Sequence, residues 1–211
     1  MNKARWWVSA LALCAAAPTM AALDLDDVAR EGELRFLAQR PDPNAYAYDA
    51  RVEIDADSLS TGVVTMHTCH RQLDPNRRVV VLFNRERVQR IDITEQSGMA
   101  RAWVDGHRVE LADVARGGHV CIALRSRALD TTADGQWTLN AGPLMRRYLD
   151  GYLPMEATLQ VRWPSGLLQV ASTEPAEQPG VRLQQASDGA TLQVVFAGRL
   201  AAKWRLVRGP V

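Results

Sequence analysis

Strict alternation is the feature that most constrains the fold of this chain. Tyr46, Tyr48, Val52 and Ile54 fall on one face, with Asp49, Arg51, Glu53 and Asp55 on the other. A period of two marks a strand with one buried face. The polar link from Ala56 to Thr61 then leads into Gly62–Leu73, a second strand expected to pair with the first as a hairpin. Further short runs follow at close spacing: Val79–Phe83, Val88–Thr94, Arg101–Val104, His107–Leu111, Gly117–Arg125, Leu159–Trp163, Leu167–Ser172, Thr191–Ala197 and Leu200–Val207. Glycine, proline, asparagine and aspartate punctuate them, and Asp105-Gly106 is the strongest hairpin signal. Val79–Phe83 is continuously apolar, which predicts a strand buried on both faces or at a sheet centre. In the last run Leu200, Ala202, Trp204 and Leu206 alternate inward.

The expectation is an all-β fold, a sandwich or partly open barrel of ten or more short strands. Residues 22–211 fit one β-rich domain, with a soft internal boundary near 130–142. One segment breaks the pattern. Gly142-Pro143 precedes Leu144-Met-Arg-Arg-Tyr-Leu-Asp150, and Gly151 follows it. Proline inside the start and glycine past the end predict one short helix at about residues 143–150.

The amino terminus reads as an export signal. Lys3 and Arg5 precede an apolar run from Trp6 to Ala17, and Thr19-Met-Ala21 suits cleavage after residue 21. The run is shorter than the ~20 apolar residues of a spanning helix. Leu11-Ala-Leu-Cys14 is a poor lipoprotein box, because bulky Leu13 precedes the cysteine. No later stretch is long and apolar enough to span a membrane as a helix. These features place the protein in a bacterial periplasm. Positive charge carried almost wholly by arginine agrees with a GC-rich genome, since Lys3 and Lys203 are the sole lysines.

Formal net charge is +1, and removing residues 1–21 leaves −1. Such a chain has no basic field for nucleic acid or anionic lipid. Nucleophile-elbow, zinc-protease helix, dinucleotide and phosphate-loop motifs are missing, so no catalytic residues are assigned and no cofactor is expected.

Two cysteines lie outside the amino-terminal segment, in His67-x-Cys69 and His119-x-Cys121. An exported chain with one such pair is expected to oxidise it, so Cys69 and Cys121 form the predicted disulfide. Alternation puts each cysteine on the less apolar side of its strand, with the histidine two residues upstream on that side. The alternative is a zinc or copper site built from His67, Cys69, His119 and Cys121. His70 faces the other way and His107 flanks a turn; neither is assigned as a ligand.

The functional expectation is an exported, non-catalytic protein acting in partner binding or envelope assembly. An unidentified protein partner is expected to meet the predicted helix, through Arg146, Arg147, Tyr148 and Tyr152. A carrier of an apolar ligand or lipid, with that helix as a lid, is the alternative.

Overall fold

The computed structural model describes residues 32–42, 44–148 and 151–209. The predicted export segment and its cleavage point lie outside the described residues. Glu31–Val211 forms one compact unit.

In chain order the elements are β1 (Arg35–Phe36), β2 (Ala47–Glu53), α1 (Ser58–Thr61), β3 (Val63–Leu73), β4 (Asn76–Leu82) and β5 (Val88–Ser97). Then follow β6 (Arg101–Asp105), β7 (Arg108–Val114), β8 (Gly118–Arg127), β9 (Leu129–Thr131), β10 (Trp137–Leu144) and β11 (Arg147–Tyr148). The last are β12 (Gly151–Tyr152), β13 (Met155–Arg162), β14 (Leu168–Glu174), β15 (Val181–Ala186), β16 (Gly189–Ala197) and β17 (Leu200–Arg208). The all-β expectation holds, with open sheets and no closed barrel among the described residues.

The large sheet runs β1-β16-β13-β2-β3-β8-β5, and β15 also pairs β16. All of its pairings are antiparallel except β13 with β2. A four-stranded sheet, β14-β17-β10-β9, and a three-stranded sheet, β4-β7-β6, complete the layers. One hydrophobic core joins all three. From the large sheet it takes alternate residues such as Tyr48, Val52, Ile122, Leu159 and Phe196. The four-stranded sheet adds Leu139 and Trp204, and the three-stranded sheet adds Val109 and Leu111. Alternation in the sequence therefore corresponds to one face turned inward in each layer.

The link between β2 and β3 is tied locally. Asp55 Oδ1 accepts from the Ser58 amide at 2.7 Å and from its hydroxyl at 2.8 Å. These bonds hold the Asp55 carboxyl below its ordinary range. Gly62 closes α1 at φ 73°, where a side chain would meet the Leu129 carbonyl oxygen at 2.5 Å.

Two expectations are corrected. The segment predicted as a helix at 143–150 holds no helix among its described residues, 143–148: β10 continues to Leu144, and β11 pairs β12 in antiparallel fashion. A sheet partner overrides the local start and stop signals. Gly142 lies against β17, where an added Cβ would sit 2.9 Å from the Leu200 carbonyl oxygen. The register shifts between Ala141 and Leu144, and such an irregularity accommodates Pro143, which has no N–H to give a ladder. Gly151, read as a helix stop, has φ 117° and begins β12.

The second correction concerns Val79–Phe83. This run is neither at a sheet centre nor buried on both faces: β4 is an edge strand that pairs only β7 among the described residues, with Val80 and Leu82 exposed.

Candidate functional site

Cys69 and Cys121 are directly opposite each other on β3 and β8, and their sulfurs are bonded at 2.14 Å with Cα atoms 4.1 Å apart. The disulfide lies on the outer side of the large sheet, since Thr68 and His70 on β3 and Val120 and Ile122 on β8 turn inward. Oxidation removes both thiolates from the metal alternative. The ladder also separates the two histidines. In an antiparallel pair, equal offsets from opposed cysteines point in opposite directions along the sheet. His67 thus lies opposite Ala123, while His119 lies beyond the other end of the disulfide. Four ladder positions put them roughly 13 Å apart along the strands. His119 instead bonds Glu95 through Nε2 at 2.8 Å. Among the described residues no three histidine, cysteine, aspartate or glutamate side chains converge as a metal site.

Two shallow depressions of about 310 and 320 Å³ adjoin on this outer face. One is walled by Arg40, Asp49, Arg71 and Glu156, the other by Arg51, His67, Cys69 and Gln160. Arg40 pairs with Glu156 at 3.2 Å and Arg71 with Asp49 at 2.8 Å, while Arg51 pairs with Glu53. These charges cancel locally, so the depressions present no net field to a charged ligand. The space between the layers is filled by side chains, Trp204, Phe196, Leu139 and Met155 among them.

Arg146, Arg147, Tyr148 and Tyr152 come together, but largely for internal use. Arg146, with its side chain 11% exposed, pairs with Asp74 through Nη2 and donates from Nη1 to the Pro154 carbonyl at 2.9 Å. Its guanidinium lies 5.6 Å from the Tyr46 ring centre and 5.7 Å from that of Tyr148. Tyr148 donates its hydroxyl proton to Asp74 at 2.7 Å. Burial alone would raise the Asp74 carboxyl; the hydrogen bonds from Arg146 and Tyr148 outweigh it and hold the group below its ordinary range. Burial and the bond to Asp74 push the Tyr148 phenol up to about 12. Arg147 lies over the Tyr152 ring at 5.5 Å, with its side chain exposed to solvent. The segment thus fastens through Arg146 and Tyr148 to Asp74, directly after β3.

Behind this tie lies His70, buried in the core. Its Nδ1 is 2.7 Å from the Tyr46 hydroxyl, its ring lies edge-on to Tyr48 at 5.1 Å, and Nε2 has no partner. Burial raises both tyrosine pKa values and lowers that of His70 to about 4. As pH falls, the unfolded chain therefore takes up this proton before the folded one. The stability linked to His70 is complete above its ordinary pKa of 6.5 and declines as pH drops toward 4. The expected loss over that window is about 3 kcal/mol. Urea unfolding of the native protein and His70→Gln across it is the check. The variant is expected to show a shallower decline, and equal slopes would contradict the account.

The exposed feature that sequence reasoning misplaced is the edge of β4. On the outer face of the three-stranded sheet, Arg78, Val80 and Leu82 of β4 lie opposite Ala112, Glu110 and Arg108 of β7. Glu110, with its side chain 5% exposed, is held by Arg78 at 2.8 Å and Arg108 at 3.0 Å. Beside this neutralised centre Val80 is 39% exposed and Leu82 67%. Phe83 donates its N–H to the His107 carbonyl at 3.0 Å. The alternation of an antiparallel ladder then turns the backbone groups of Val79 and Val81 toward β7 and those of Arg78, Val80 and Leu82 outward. Arg78 N–H is taken by Asn76 Oδ1 at 3.0 Å. Val80 and Leu82 therefore present a free strand edge with apolar side chains. The signal in the sequence is the bracketing of Val79–Phe83 by Arg77-Arg78 and Arg85, since edges carry such charges more than sheet centres do.

No family model matches the chain, and no curated protein matches it. Among solved structures it is similar to an M1 zinc metallopeptidase mutant from Deinococcus radiodurans, bound to a Tyr-Ser-Ala substrate. The two share 11% identity with a TM-score of 0.39, over 78% of this chain and 41% of that one. A two-domain M1 zinc metallopeptidase mutant bound to L-tryptophan is similar at 13% identity and a TM-score of 0.36, over 85% of this chain and 44% of that one. The chain spans less than half the length of these solved chains.

Proposed function

We propose that this chain is an exported, non-catalytic β protein that binds a protein partner in the bacterial periplasm, at the edge of β4. The observation that carries the reading is Leu82, 67% exposed on a strand whose outer backbone edge has no neighbour among the described residues. Edge strands are ordinarily blunted, because an apolar one templates pairing with other chains. Retaining a run of three valines and a leucine there is accounted for by a partner that covers it. The apolar amino-terminal run and the disulfide support export.

Site-specific photo-crosslinking tests the reading in intact cells. A benzophenone side chain at position 82 is expected to trap one protein reproducibly, while the same group at Gln169, exposed on β14, does not. Equal, diffuse labelling from both positions would remove the β4 edge as the binding surface.

A further inference from the structure

Building on that reading, we infer the chemistry of the partner: an extended segment that adds to β4 as a strand, apolar in the middle and carrying carboxylates at both ends. The backbone supplies the first half of the argument. Val80 and Leu82 each turn an N–H and a C=O outward, the spacing that a neighbouring strand matches. Their side chains share the outer face, so an incoming strand with apolar residues at alternate positions covers both.

Charge supplies the second half. Arg77 precedes the apolar run and Arg85 lies in the turn beyond it; both are exposed. Among the described residues neither has a carboxylate within salt-bridge distance, whereas Arg78 and Arg108 are committed to Glu110. The edge is therefore an apolar strip with an unneutralised cation near each end. A second copy of this chain fits less well. Antiparallel self-pairing about Val80 sets Arg77 opposite Phe83 and Arg85 opposite Pro75, leaving both cations without a counter-charge.

The test uses two labelled synthetic peptides of alternating valine and threonine, one ended by glutamates and the other by lysines, with binding read by fluorescence anisotropy. The glutamate-ended peptide is expected to bind the native protein about tenfold more tightly, the product of two modest opposite-charge contacts. Arg77→Glu with Arg85→Glu changes two exposed side chains and is expected to reverse the preference. Val80→Pro removes an outward N–H without touching the ladder to β7, and is expected to abolish binding of both peptides.

Equal binding of the two peptides, binding of neither, or binding that survives Val80→Pro overturns the inference. So does a concentration-dependent dimer that Val80→Pro dissolves and that excludes the peptides. Crosslinking at position 82 keeps the two ideas separate. A trapped partner without charge preference leaves the partner-binding reading standing and removes its acidic chemistry. Peptide preference without a trapped partner does the reverse.

Discussion

Serine in place of Cys69 or Cys121 is expected to lower unfolding free energy by about 4 kcal/mol, one of the two largest single-site effects in this chain. The sulfurs join residues 52 apart in sequence. Closing a loop of that length removes much of the freedom of the unfolded chain, and the chain-entropy relation gives the figure above. In the folded state β3 and β8 are already laddered on both sides of the bond, from Val63 opposite Arg127 to His70 opposite Val120. Native geometry therefore survives its loss, and the stabilisation acts on the unfolded ensemble. Three expectations follow for denaturant midpoints. Either single serine variant matches the double variant, a reducing agent brings the native protein to the same midpoint, and His67→Ala with His119→Ala changes it far less. A midpoint unmoved by reduction, or two reactive thiols in oxidised protein, would refute the argument.

The same cysteines show what was legible in the sequence and what was not. Alternation put Cys69 and Cys121 on matching faces, and two cysteines admit one internal bridge, so the disulfide followed from local pattern plus counting. The direction of pairing did not. Matched His-x-Cys motifs converge only in a parallel pair, and antiparallel β3 and β8 send His67 and His119 apart. Local pattern likewise recovered β2 and β17, whose inward residues are those the sequence marks. It could not show that β2 lies beside β13 in parallel, Ala47 to Glu53 against Glu156 to Arg162, because nothing local records a neighbour a hundred residues away.

Both errors have one physical origin. Residues 142–151 carry helix start and stop signals worth about 1 kcal/mol apiece. Docking of Gly142 on β17 and fastening of Arg146 and Tyr148 to Asp74 decide the conformation instead. The run Val79–Phe83 has the composition of a buried strand, and composition is the same whether a neighbour of the same chain or of another covers it. A run that looks like a sheet centre and is found at an edge is where local reasoning fails, because composition does not record which neighbours a strand has. The candidate site was thus visible as a pattern and invisible as a surface.

The second large effect is expected at Trp204. This residue sits midway along β17, the strand flanked by β10 and β14, with Leu139 on one side and Thr173 on the other. Its side chain is fully buried in the core that joins the layers. Trp204→Ala removes an entire indole from a close-packed interior, so a loss of about 3–5 kcal/mol is expected. The indole also carries a liability, because Nε1 is buried without a hydrogen-bond partner. An unsatisfied buried donor costs about 1–3 kcal/mol relative to one that is bonded or absent. Trp204→Phe deletes that donor while keeping an aromatic ring against Leu139. Its cavity penalty is therefore partly offset, and its loss is expected to stay under half that of alanine. Thermal and urea unfolding of the two variants decide the matter. A phenylalanine variant as unstable as the alanine one would mean that the indole N–H is satisfied in solution, by a water molecule reaching it between the layers.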